Sequence, residues 1–249
     1  MNTLILQAPG AMTAPLPGTP TIPDLTRGVL FDFNADTLSL TDGANVTSWR
    51  NGGGSWGSKA DFKFASSNPP KFSSAGVTPG HGSVKFTTSP ATYLITDSAI
   101  SPKIATPITT VVLVKFAAAA DGSKFENIFS GRSSNAGEYV YVRRNPTGRL
   151  SIGGGVADQI VPAEVVSGGS WKVITAVFDG ASSKLFIDGA KYTGICSAAT
   201  LDGLTLGANA ILANNLNGDV AAFKAFNRAL SDEEIILQRQ AILQTHGLG

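Results

Sequence analysis

The chain contains Trp171-Lys-Val-Ile-Thr-Ala-Val-Phe178 followed by Asp179-Gly180, and soon afterwards Lys184-Leu-Phe-Ile187 followed by Asp188-Gly189. β-Branched and aromatic side chains dominate both runs and would alternate between the two faces of a strand. Each Asp-Gly pair supplies a residue that tolerates the positive φ of a tight turn. Two short strands and two turns within about twenty residues are typical of an all-β sandwich, because a parallel βαβ unit would need a helix between the strands.

A third strand is predicted directly before the only strong helix signal. The run Asn217-Gly-Asp-Val-Ala-Ala-Phe-Lys-Ala-Phe226 is predicted to place Ala221, Phe223 and Ala225 on one face and Lys224 on the other. This is the pattern of a half-buried strand.

The helix that follows has a capping box, in which Ser231 caps the first turn and Glu234 reaches back to the cap amide. The acidic run Asp232-Glu-Glu234 therefore belongs to the cap and to the positive end of the helix dipole, and is not a catalytic cluster. Gly247 is the predicted stop. The predicted apolar stripe is Ile235, Ile236, Leu237, Ile242 and Leu243.

Strand signals continue towards the amino terminus. They are Val29-Leu-Phe-Asp-Phe33, Val46-Thr-Ser-Trp49, Gly82-Ser-Val-Lys-Phe86 and Ile108-Thr-Thr-Val-Val-Leu-Val-Lys-Phe116, with a glycine loop Asn51-Gly-Gly-Gly-Ser-Trp56 after the second. The order of these motifs resembles that of laminin-G-like, concanavalin A-like sandwich domains over roughly residues 29–246. The resemblance implies a two-sheet antiparallel jelly-roll sandwich closed by a short C-terminal helix.

Residues 28–249 are long enough for one such domain, which leaves residues 1–27 as an extended arm. Five prolines interleaved with Gly, Thr and Ala lie between positions 9 and 23, a composition that cannot form its own core. The arm is either a flexible tail or a strap that docks on a larger assembly, with Leu4-Ile-Leu6 as its hook.

Composition excludes several classes of partner. The net charge is +1 and only 15% of the residues are charged, so nucleic acid and anionic membranes are not predicted partners. No stretch approaches the length of a membrane span, and no secretory signal is recognised at the amino terminus. Cys196 is the single cysteine and is predicted to be a small buried side chain, so no intramolecular disulfide forms.

Residues suited to catalysis or metal binding are scattered. Glucanases of the similar superfamily pair carboxylates along one strand, whereas Glu126, Glu138 and Glu164 are isolated here. His81 and His246 lack metal-ligand spacing. The chain is therefore predicted not to be an enzyme and to have no cofactor or metal. Many laminin-G-like domains hold Ca²⁺ with a loop Asp, so the resemblance leaves a Ca²⁺ site in a loop as an alternative. Four aspartates in predicted loops are nevertheless interpreted as turn residues: Asp97, Asp121, Asp158 and Asp202.

The best candidate binding surface is the strand Glu138-Tyr-Val-Tyr-Val-Arg-Arg144. Alternation turns the two valines to the core and places Tyr139, Tyr141 and Arg143 in a row on the opposite face. Such a row could stack on a sugar ring and bind its hydroxyls, or could be an ordinary cross-strand ladder. Trp56, as an exposed aromatic in its glycine loop, and Asn135 complete the candidate set.

Two classes of function fit these observations. The first is a phage virion structural protein, such as a capsid decoration, fibre or tail component, made in the host cytoplasm without a signal peptide. Its arm would bind other virion proteins, its sandwich would face a cell-surface glycan, and it would form a homo-oligomer. The alternative is a free carbohydrate-binding, lectin-like module of a bacterial protein.

Overall fold

The structure is a computed structural model, and it describes residues 24–64, 68–96, 99–120, 122–132, 139–154 and 159–249. These residues form antiparallel strands, three short 3-10 turns and one α-helix. The strands are β1 (Val29–Asn34), β2 (Ser48–Trp49), β3 (Phe62–Phe64), β4 (Lys71–Thr78), β5 (His81–Phe86), β6 (Leu94–Thr96), β7 (Ile104–Ala105), β8 (Ile108–Phe116), β9 (Glu126–Gly131), β10 (Val140–Arg144), β11 (Leu150–Gly154), β12 (Trp171–Phe178), β13 (Ser183–Ile187), β14 (Ala190–Gly194), β15 (Thr200–Leu201), β16 (Leu204–Leu206) and β17 (Gly218–Phe226), and the helix is α1 (Asp232–Thr245).

Two large sheets carry the fold. Sheet 1 has the order β14-β13-β12-β8-β17-β5-β4, and β1 also pairs with β17. Sheet 2 has the order β11-β10-β9-β16-β6-β3-β2, while β7 and β15 form a separate small pair. The hydrophobic core lies between the two sheets, which confirms the predicted all-β antiparallel sandwich.

The uninterrupted apolar run of β8 has a simple cause, since both of its faces are buried. Val112 and Val114 face the core between the sheets, whereas Val111 and Leu113 pack under α1 with Ile235 of the helix. A strand covered on both sides reads as continuous hydrophobic sequence instead of alternating sequence.

The predicted hairpins after β12 are confirmed. Strand β12 pairs with β13 and β13 pairs with β14. Asp188 (φ 50°) and Gly189 (φ 98°) both adopt left-handed backbone conformations between β13 and β14. This two-residue turn matches the right-handed twist of the strands that it joins.

The capping box of α1 is also confirmed. The backbone N–H of Glu234 donates to Ser231 Oγ (3.2 Å), and the Ser231 N–H donates to Glu234 Oε2 (2.8 Å). The buried stripe consists of Ile235, Gln238 and Ile242. Ile236, which the sequence predicted to be in that stripe, is 50% exposed, because it lies about 100° around the helix from Ile235.

One strand departs from simple alternation. Ala221 was predicted to share a face with Phe223 and Ala225, but it packs on the helix side, whereas the other two face the core. The register of β17 against β8 shifts between Val220 and Ala222. This β-bulge inserts one residue and turns Ala221 to the opposite face.

Part of the predicted arm lies against the body of the domain. Gln238 Nε2 donates to the Leu25 carbonyl (2.8 Å), and Arg228 Nε donates to the Arg27 carbonyl (3.0 Å). Residues 1–23 lie outside the described residues, so the division at 27/28 stays a prediction. Within the described part of the chain, no helix is both long enough and apolar enough to span a bilayer.

Candidate functional site

The predicted tyrosine and arginine row lies on the face of sheet 2 that is turned away from sheet 1. Val140 and Val142 face the core, and Tyr141, between them in β10, faces the other way, as the alternation predicted. On that outer face Tyr141 is paired in register with Ser130 of β9 and Gly153 of β11. Tyr139 precedes β10 and bridges Thr200.

The exposure of the row differs from the prediction at one position. Tyr141 is only 3% exposed, so its ring lies beneath the surface and cannot offer its face to a ligand. Tyr139 and Arg143 are partly exposed. The accessible part of the row is therefore Tyr139 and Arg143, with Tyr141 as the support between them.

The structure adds a residue that the sequence did not single out. The guanidinium of Arg143 lies 4.0 Å from the ring centroid of Phe125 and 4.7 Å from that of Tyr141. The rings of Tyr139 and Tyr141 are 6.1 Å apart. Phe125, Arg143, Tyr141 and Tyr139 thus form one continuous stack, which we call the aromatic stack. Phe125 was missed because it belongs to the segment before β9, and register alone brings that segment beside β10.

The other two candidate ligand residues do not join the aromatic stack. Asn135 lies outside the described residues. Trp56 was predicted to be exposed, but it is 7% exposed and packs 5.7 Å from the ring of Phe31. Its loop folds back on β1, where the backbone N–H of Trp56 donates to the Leu30 carbonyl (3.0 Å). Gly54 permits this approach, because a Cβ there would lie 2.4 Å from the Leu30 oxygen.

The carboxylates that could be mistaken for catalytic groups have structural partners. Arg144 Nε donates to Glu126 Oε2 (2.7 Å), Arg144 Nη2 makes a second close contact with the same oxygen, and both side chains are buried. Glu164 accepts from the Tyr192 hydroxyl (2.5 Å), and this hydrogen bond raises the pKa of Tyr192. Glu138 lies outside the described residues.

The predictions for Cys196 and the loop aspartates fall into two groups. Cys196 is 1% exposed within the core, as predicted, and burial raises the pKa of its thiol. Asp202 is buried, and its backbone carbonyl accepts from the Ile100 N–H (2.6 Å). The other three aspartates considered for Ca²⁺ lie outside the described residues: Asp97, Asp121 and Asp158.

The two histidines are brought together in space, which the sequence did not predict. His81 Nδ1 lies 2.8 Å from Asp36 Oδ2, and His246 Nδ1 lies 3.5 Å from the same oxygen. The two imidazole rings are 5.8 Å apart. Burial lowers the pKa of His246, and the proximity of His81 adds to this, whereas the Asp36 carboxylate opposes it. Their wide separation along the chain leaves no spacing signal.

A cleft of about 290 Å³ adjoins this cluster. Its walls come from α1, β1 and β17. The Asp32–Lys224 ion pair (2.8 Å) lines it on the sheet side, and Gln238 and His246 line it on the helix side.

Comparisons with known proteins agree with this architecture. A laminin G family model, described as the concanavalin A-like lectin/glucanases superfamily, matches residues 91–236. No curated protein matches the chain.

Several solved structures share the fold. The binding domain of Paraclostridial Mosquitocidal Protein 1 superposes with a TM-score of 0.59 at 13% identity, over 88% of this chain and 53% of that chain. The receptor binding domain of botulinum neurotoxin D gives 0.57 at 10% identity, over 88% and 54%. Trypanosoma rangeli sialidase in complex with sialic acid gives 0.54 at 12% identity, over 89% and 35%.

This chain spans about a third to a half of the length of those structures, and at these identities the likeness concerns the fold alone. The family model, in contrast, covers more than half of the present chain, including β8 to β17. The chain therefore belongs to the concanavalin A-like lectin/glucanases superfamily.

Proposed function

We propose that this chain is a non-enzymatic glycan-binding module displayed on a virion, as a capsid decoration, fibre or tail component. The observation that carries the binding role is the aromatic stack, with Phe125, Arg143 and Tyr139 partly exposed on the outer face of sheet 2. The superfamily to which the chain belongs is one of lectins and glucanases, which supports a carbohydrate ligand.

The chemistry of the aromatic stack suits a sugar. The apolar face of a pyranose ring packs on an aromatic side chain, and a guanidinium offers several N–H donors to its hydroxyls. Arg143 lies between the rings of Phe125 and Tyr141, so its donors are already oriented before a ligand arrives. Because the Arg143 side chain is already held in place, less conformational entropy is lost when a ligand binds. The near-neutral charge of the chain also favours an uncharged ligand over a polyanion.

A binding role is favoured over a catalytic one by the partners of the carboxylates. Glu126 lies in a buried pair with Arg144, and Glu234 caps α1 and pairs with Arg228. A retaining glycosidase of the usual kind needs two carboxyl groups about 5 Å apart beside the sugar. Neither Glu126 nor Glu234 is free for that task.

The virion role is supported by composition. The proline-rich residues 1–27 suit an extended strap that orders on a larger assembly, and a single cysteine leaves the fold without a disulfide. In this role the arm contacts other virion proteins and several copies of the chain assemble.

Glycan-array binding tests the first part of the proposal. Tyr139→Ala and Arg143→Ala should each weaken binding about 10-fold or more, because each removes an anchor of the aromatic stack. Tyr192→Ala is the matched control, since Tyr192 is a partly buried tyrosine on β14 in the other sheet, and it should bind like the unchanged protein. Melting curves check that each variant is folded. Equal affinity in all three variants would exclude the aromatic stack as the glycan site.

The oligomeric state tests the second part. Gel filtration with light scattering on the full chain should give a stable oligomer. In a sedimentation assay, the full chain should co-sediment with the virions on which we propose that it is displayed. A monomer that still binds glycans would instead favour a free carbohydrate-binding module.

A further inference from the structure

Asp36, His81 and His246 meet at one point of the surface although they come from three distant parts of the chain. Asp36 lies in the 3-10 turn after β1, His81 begins β5, and His246 follows the last residue of α1. One ligand atom from each of the three side chains lies within 4.8 Å of the others. We call this group the Asp-His cluster.

The central observation concerns His246. Its side chain is 1% exposed, and its Nδ1 forms no hydrogen bond with any described residue. Burial of a polar atom without a hydrogen-bond partner is destabilising, so such atoms usually have a ligand or another reason to persist. Nδ1 points towards Asp36 Oδ2, at 3.5 Å, on the side where His81 also lies.

We propose that the Asp-His cluster binds a divalent first-row transition metal ion, with Zn²⁺ as the ion that it suits best. Two imidazoles and one carboxylate are characteristic ligands of Zn²⁺ and its neighbours, whereas Ca²⁺ and Mg²⁺ prefer oxygen. Tetrahedral ligands about 2.0 to 2.1 Å from zinc lie about 3.4 Å apart. The observed separations of 2.8 and 3.5 Å from Asp36 Oδ2 bracket that value.

Neighbouring groups already hold the ligands in position. The Gly82 N–H donates to Asp36 Oδ1 (2.7 Å), and Asp36 Oδ2 faces the two imidazoles, with which it forms a hydrogen bond to His81 Nδ1 (2.8 Å) and a longer contact to His246 Nδ1 (3.5 Å). Thr78 Oγ1 donates to the His246 carbonyl (3.0 Å) and ties the end of the helix to β4. Hydrogen bonds of this kind orient ligands in metal sites.

The helix itself favours a cation at this point. The carbonyl groups at the end of α1 carry the negative end of the helix dipole, and a cation there is stabilising. The last turn reads Ile242-Leu-Gln-Thr245 and contains no basic residue. A bound metal ion would supply the missing positive charge.

The Asp-His cluster is open on one side. The side chains of His81 and Asp36 are 31% and 23% exposed, so water can complete the coordination. Because the ligands join α1 to β5 and to the turn after β1, the first effect of the metal is on stability. It would hold the end of the helix against the sandwich.

The experiment uses the untagged full chain after removal of metals with a chelator. Addition of Zn²⁺ alone should show one ion per chain by calorimetry. The melting temperature should rise by about 5 to 10 °C once the free ion reaches 100 times its Kd. Co²⁺ should give the visible absorption of a site with nitrogen ligands. Ca²⁺ and Mg²⁺ should give no shift at the same concentration.

Variants distinguish this cluster from other binding. His81→Gln and Asp36→Asn should abolish the Zn²⁺-induced shift, and both change partly exposed side chains, so the fold should survive. The control variants Asp32→Asn, in the neighbouring cleft, and Cys196→Ser, in the core, should retain the full Zn²⁺-induced shift in melting temperature. Absence of one-to-one binding in the unchanged chain, or an undiminished shift in His81→Gln, would overturn the proposal.

Discussion

Arg144 is a charged residue inside the core, with an exposed fraction of 1%. Its guanidinium lies 4.1 Å from the Phe116 ring centroid and donates to the carbonyls of Ala118 (2.9 Å) and Val166 (3.2 Å) as well as to Glu126. The ion pair of Arg144 in β10 with Glu126 in β9 is therefore also bonded to the segment that follows β8. A buried charge of this kind is tolerated because its donors are satisfied.

Removal of the Arg144 side chain should be strongly destabilising. We expect Arg144→Ala to lower the free energy of unfolding by about 3 to 5 kcal/mol, since Glu126 would remain buried without its partner. Arg143→Ala, one residue away but partly exposed, should cost less than about 1 kcal/mol. Urea unfolding of both variants measures the difference. A double replacement, Arg144→Met with Glu126→Leu, should recover much of the loss, and equal costs for the two single variants would contradict this account.

At the scale of single elements, α1 shows how local spacing and tertiary contacts combine. The spacing from Ser231 to Glu234 identifies the cap without any structure. The structure adds that Arg228 Nη1 donates to Glu234 Oε2 (2.9 Å). The Arg228 hydrogen bond, together with those from Ser231, lowers the pKa of Glu234 to about 2. The carboxylate thus links the helix cap to the segment between β17 and α1.

This shift predicts the pH dependence of stability. The folded-state pKa of Glu234 lies below its ordinary value of 4.5, so its contribution is fully present above pH 4.5 and is lost as the pH falls to about 2. Glu234→Gln should destabilise the protein by about 1 to 3 kcal/mol at pH 7, and the difference should vanish near pH 2. Denaturant unfolding at several pH values measures it.

Ser231→Ala is the matched control for the cap. It should cost about 0.5 to 2 kcal/mol, because it removes the side-chain hydrogen bond to the first turn. It leaves the pair of Arg228 with Glu234 in place, so its pH profile should run parallel to that of the unchanged protein. A flat profile in Ser231→Ala would show that the cap hydroxyl, and not Arg228, determines the titration.

At the scale of the whole molecule, the predictable features are those that depend on neighbours in sequence. Strand periodicity and Asp-Gly turns identify the sandwich. Ala221 was misplaced because a bulge is set by the partner strand, and Trp56 because its loop folds onto β1. The Asp-His cluster depends on residues from both ends of the domain, so only the folded topology reveals it.

The division between arm and domain can be tested by truncation. Deletion of residues 1–23 should leave the melting temperature unchanged, because their composition cannot bury enough apolar surface to offset ordering. Deletion of residues 1–27 removes the Leu25 carbonyl and leaves the buried Gln238 amide without that acceptor. We expect the melting temperature to fall by roughly 2 to 10 °C in this second variant. A large drop in the shorter deletion would make the arm part of the fold.

The contact between Leu25 and Gln238 also determines on which side of the sandwich the arm joins the domain. It places the point where the arm meets the domain beside α1, and α1 covers the outer face of sheet 1. Tyr139 and Arg143 lie on the outer face of sheet 2, on the far side of the core. If the arm attaches the chain to a larger assembly, as proposed, α1 and sheet 1 would face that assembly. Tyr139 and Arg143 would then face the surroundings, whatever the number or symmetry of the copies.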